Sequence, residues 1–129
     1  MIRALAALLA LVLAATTARA ACELPGGAAR RLKAKTYELV FRTQPVVLKV
    51  GEHFAVDFVV CPAPESVRVD ASMPEHRHGM NYRPTIKPLG DGRYRAEGLM
   101  FHMPGRWEFI FEARSGGASE RLAHSVRLE

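Results

Sequence analysis

The chain has 129 residues, 24% of them charged, and a formal net charge of +5, which suits one ordinary domain with a single core. Lysines and arginines are scattered singly or in pairs instead of gathering on one face between aromatic residues, and this excludes a nucleic-acid reader. No Ser nucleophile elbow, free cysteine nucleophile or carboxylate pair in a cleft context is evident, so an enzyme is not expected.

The first residues read as a leader. Met1-Ile2-Arg3 is a short basic start, residues 4–15 are almost wholly Ala, Leu and Val, and Ala18-Arg19-Ala20 has the form of an A-x-A cleavage site. The apolar run, about twelve residues, falls short of the roughly twenty of a spanning helix. The expectation is a secretory signal peptide over residues 1–20, cleaved near Ala20, and an exported product, periplasmic or otherwise secreted, with no transmembrane segment. Cys22 and Cys61 are the two cysteines, and in an oxidising compartment an even pair predicts a disulfide. A lipid anchor at Cys22 is the rival reading, disfavoured because Arg19 stands where an aliphatic residue belongs.

Residues 21–35, rich in Gly, Ala and Arg, read as a lead-in, tethered or mobile, to a domain over 36–129. From Tyr37 the pattern has period two, with Tyr37, Leu39 and Phe41 alternating with polar residues until Gln44-Pro45 breaks it. Val46 to Val50 reads as a second short strand. His53 to Cys61 is the clearest strand, with Phe54, Val56, Phe58 and Val60 on one face, and Ser66 to Ser72 alternates again and delivers the chain to Met73. Gly90-Asp91-Gly92 is a hairpin turn. Tyr94 and Ala96 alternate with charged neighbours; Leu99, Phe101 and Met103 then share a face. Trp107, Phe109, Phe111 and Ala113 line one side of the next strand, and Leu122, His124, Val126 and Leu128 one side of the last. No sustained 3.6-residue period occurs, so the reading is all-β: an antiparallel, immunoglobulin-like sandwich of about seven strands.

The chemistry concentrates in Met73-Pro74-Glu75-His76-Arg77-His78-Gly79-Met80, with His102-Met103 about twenty residues on. Imidazole and thioether are the donors that suit copper, Cu(I) above all, and they are poor ligands for Mg²⁺ or Ca²⁺. His76, His78 and Met80 point the same way in an extended segment. They are the first candidates, with Met73 and His102 as further metal-ligand candidates and Met100 as an outlying thioether. Met103 goes to the core with Leu99 and Phe101, and isolated His53 and His124 read as structural. Arg77 and Arg83 weigh against a cation, and the lack of cysteine and of paired spacing weighs against zinc. Two functions are therefore expected: an exported copper carrier or buffer using this loop, or a metal-free envelope interaction module docking a partner through it.

The succession Met73 to Met80, Gly92-Arg93-Tyr94, Gly98-Leu99-Met100-Phe101 and Met103-Pro104-Gly105-Arg106-Trp107 resembles the YtkA-like family, which is similar to FixH-type domains. The resemblance implies an immunoglobulin-like sandwich, exported or membrane-tethered, and an envelope partner in copper transport or oxidase assembly.

Overall fold

The structure, a computed structural model, describes residues 22–129. The expected signal peptide of residues 1–20 lies outside the described residues. Nine strands follow in order: β1 (Arg30–Lys33), β2 (Glu38–Gln44), β3 (His53–Cys61), β4 (Ser66–Met73), β5 (His78–Gly79), β6 (Thr85–Gly90), β7 (Arg93–Met100), β8 (Gly105–Ser115) and β9 (Ala118–Leu128). They form two antiparallel sheets, ordered β1-β2-β3-β7-β6 and β5-β4-β8-β9, and the chain is a β-sandwich.

Alternating apolar residues from the two inner faces make the core. Phe41, Phe54 and Phe58 of the first sheet meet Trp107, Phe109 and Phe111 of the second, all buried. Ring centroids lie 5.1 Å apart for Phe41 and Phe111 and 5.5 Å for Phe58 and Phe111, within the range of favourable tilted aromatic pairs.

One irregularity decides what faces the core at the end of β7. Along β7, Ala96 is buried and so is Leu99, an odd spacing that a regular strand forbids. The ladder to β3 shifts between the pairs Phe54↔Leu99 and Val56↔Ala96, so one extra residue is absorbed on β7. Gly98, at φ 85°, supplies the left-handed conformation needed there. Without that bulge Leu99 and Phe101 would turn outward and His102 inward.

Two expectations along the chain are corrected. Val46 to Val50 forms no strand: Val46 and Val47 stand 58% and 72% exposed, and Gly51 N–H, donating to Phe101 O at 2.9 Å, is where the segment rejoins the fold. Its apolar run lacks a neighbouring ladder, and a strand needs one. The lead-in, in contrast, contains β1, because Arg30–Lys33 pairs with β2 from Phe41 to Glu38. Cys22 and Cys61 form the expected disulfide. With Val40 and Val59 they make a small apolar cluster on the outer face of the first sheet, against which Leu24 packs.

Candidate metal-binding turn

β4 and β5 are joined by a four-residue turn, Pro74 to Arg77, closed by the pair Met73↔His78. His76 N–H donates to Met73 O at 3.1 Å, and Arg77 takes the left-handed conformation at φ 55° that lets the chain reverse. Arg106 of β8 fixes the turn from the side: its Nε donates to Glu75 Oε1 at 2.9 Å. That hydrogen bond and the guanidinium charge hold the Glu75 carboxyl below the usual carboxylate range. Met80 N–H donates to Ala71 O at 3.3 Å, continuing the pairing past Gly79.

Because cross-strand partners point to the same face, His78 shares the inner side with Met73. Its ring centroid lies 5.9 Å from that of His76 and 5.2 Å from that of His102. The three imidazoles form a row with His78 in the middle. A metal held at ~2.0–2.1 Å from two imidazole nitrogens sets the ring centroids about 5 to 6 Å apart, so both neighbouring pairs have the separation that a shared ion needs. The row is not a cage: among the described residues no three His, Cys, Asp or Glu side chains are grouped to hold a metal ion together. Remaining donors would be thioethers, which suit Cu(I) better than other common ions.

The nitrogen available on His78 follows from its hydrogen bond. Nδ1 lies 3.1 Å from Gly79 O, and a carbonyl only accepts, so that bond needs the proton on Nδ1 and leaves the Nε2 lone pair for a ligand. On His102, Nδ1 is buried and has no hydrogen-bond partner. Buried polar atoms without partners are uncommon and costly, and this one sits beside His78 in the row.

The candidate residues are placed unequally. His76 is exposed, while His78, Met80 and His102 are half-buried. Met73 is fully buried in the core, and a side chain on Gly105 would meet its Cε at 2.8 Å. Met103 is half-buried against the core, and its carbonyl accepts from Trp107 Nε1 at 3.0 Å. Met100 pairs with His53 in the β3–β7 ladder, and His53 itself packs on Tyr82, ring centroids 5.3 Å apart. Sequence reasoning missed Trp107 as a neighbour of the site. Its indole lies edge-on to His78 and His102, with centroids at 5.8 and 5.4 Å. Only the β4–β8 pairing, with Ser72 opposite Glu108, brings it there, and no local pattern signals that.

Comparison with known proteins bears on the fold and the family. No curated protein matches the sequence. Among solved structures, the crystal structure of a DUF4426 family protein from Pseudomonas aeruginosa PAO1 is similar, with a TM-score of 0.54 at 7% identity over 78% of this chain and 94% of that one. At that identity the likeness concerns the fold alone. The YtkA-like family profile matches residues 31–112, from β1 into β8 and across the whole histidine turn, and the chain therefore belongs to the YtkA-like family.

Proposed function

We propose that this protein is an exported copper carrier or buffer, its cargo ion held at the imidazole row with His78 at the centre. The observation that carries the reading is the pair of ring separations, 5.2 Å to His102 and 5.9 Å to His76, combined with a free Nε2 on His78. Met80, two residues from His78, is the nearest thioether in sequence and only half-buried; Met73 joins only if the core opens. Two imidazoles and a thioether form a soft, incomplete shell, which suits a carrier that must pass its ion to an envelope partner. The chain's own residues bind and release; no catalytic step is part of the proposal. Periplasmic or secreted location is part of the reading, and the Cys22–Cys61 disulfide and the absence, among the described residues, of a helix able to cross a membrane are compatible with it.

The second reading, a metal-free module docking an envelope partner through the same turn, is favoured by Arg77, exposed at its tip, and by the lack, among the described residues, of a three-residue ligand group. Competition for Cu(I) against a chromophoric chelator separates the two. The oxidised chain should take up one equivalent, and the double substitution His78→Ala, His102→Ala should weaken it by more than about tenfold. Unchanged affinity in that variant would leave the docking reading standing.

A further inference from the structure

The segment Val46 to Leu48, apolar yet unpaired, borders a groove of about 450 Å³ between the two sheets. β1 begins at Arg30, opposite Phe41, so the part of β2 past Phe41 has no neighbour in β1. Across the opening runs β9, paired with β8 on one side and with no strand on the other among the described residues. Phe41 and Phe109 form the floor and Val126 and Leu128 the far wall.

The charge of this groove is one-sided. Arg30, Arg42 and Arg127 line it, and no Asp or Glu does. Elsewhere on the surface several arginines are met by carboxylates, as Arg95 is by Asp57 and Glu97 and Arg121 by Glu108. Arg42 has Nε buried without a hydrogen-bond partner; its ion pair with Asp57, on the neighbouring strand, is long at 3.8 Å, and its other guanidinium end donates to Pro25 O. Three cations, exposed valines and an unpaired strand edge together match an extended chain whose side chains alternate between apolar and acidic. Such a chain can pair its backbone with a free edge and place every second side chain in the groove.

We propose that the groove is a docking site for an extended acidic segment of a partner protein, laid along β9 between His124 and Leu128. An open groove with arginines along it suits a peptide better than an acyl chain, which calls for an enclosed apolar tunnel. His124 reports on occupancy. Its ring lies 5.6 Å from that of Phe41, and burial, then the charge of Arg30 on β1, keep its pKa below the usual histidine value. Arg42 from β2 and Arg127 on its own strand add further positive charge to the same groove, so a bound carboxylate raises the pKa of His124.

The inference is independent of copper, since the groove shares no residue with the imidazole row. The test is a nuclear magnetic resonance titration of the oxidised protein, with a metal chelator present, using a capped hexapeptide alternating glutamate and valine. Shifts should concentrate at Val46 to Leu48 and His124 to Leu128, and His124 should titrate at higher pH when the peptide is bound. Arg30→Glu with Arg127→Glu should weaken binding by at least about tenfold. Val47→Ser, at a site too exposed to matter for folding, should weaken it as well. Equal binding of the lysine-for-glutamate peptide, shifts centred elsewhere, or binding of phosphatidylglycerol vesicles without binding of the peptide would each overturn the proposal.

Discussion

The indole of Trp107 lies flat on the ring of Phe101, centroids 4.5 Å apart and planes within 8° of parallel. Trp107 comes from the second sheet, and Phe101 follows the end of β7 in the first, so this stack joins the sheets directly behind the histidines. Both rings are fully buried. Trp107→Ala should cost about 3 to 5 kcal/mol of stability in urea unfolding. A melting temperature like that of the unsubstituted protein would contradict the packing described.

Trp107 is the one tryptophan of the chain and borders His78 and His102, so its fluorescence is a built-in reporter. Paramagnetic Cu²⁺ bound at the row should quench it, and His78→Ala should remove most of the effect. His53→Ala and His124→Ala should leave the quenching unchanged. If all three variants quench alike, the ion sits elsewhere.

Gly105 has φ 121° and faces Met73 Cε so closely that an added methyl would meet it at 2.8 Å. Gly105→Ala should therefore destabilise by about 1 to 3 kcal/mol through backbone conformation alone, plus the displacement of Met73. In calorimetry this variant should melt lower than Gly116→Ala, where φ is 57° and space is open.

The Cys22–Cys61 bond closes a long loop, with a sequence separation of 39. Reducing it should cost about 2 to 4 kcal/mol. Thiol titration of the oxidised protein should find no reactive cysteine before reduction and two after it.

His124 gives the fold a pH dependence of definite sign. Burial and Arg30 lower its pKa from 6.5, so the folded state takes up the proton less readily than the unfolded chain. Stability from this residue is unaffected above the unfolded value and declines as pH drops below about 6.5. His124→Gln should reduce that decline between pH 7.5 and 5, read as the difference between the two unfolding curves. Glu97 and Glu120, whose pKa values are also lowered, the first mainly by Lys87 and the second by Thr36, act further down, as pH falls through the carboxylate range.

Period-two alternation made most of the fold legible. His53 to Cys61 is a strand with the same bounds in sequence and structure, and the inward faces of β8 and of β9 at Leu122 and Leu128 follow the pattern. Val46 to Val50 failed because alternation records which residues would suit a strand, not whether a partner lies alongside. β1 escaped because its four residues are mostly exposed and basic, with only Leu32 to signal burial. At the site, the nearness of His76 and His78 was readable from their spacing. The closeness of His102 depends on how the end of β7 in one sheet meets the β4–β5 turn of the other, and that of Trp107 on sheet pairing. Both are long-range facts that no local window contains.

The direction of β3 carries a practical consequence. It starts at His53, at the end of the sandwich where the Gly51–Phe101 bond and the histidine turn lie, and finishes at Cys61. At ~3.3 Å per residue the nine-residue strand separates these ends by about 26 Å. The disulfide therefore anchors Cys22 at the opposite pole from the imidazoles. A sensor surface coupled through a linker at the Cys22 pole would hold the protein with its histidines facing the bulk solution, open to an incoming ion or carrier. Attachment through Lys49, in the loop before β3, would instead crowd them against the support.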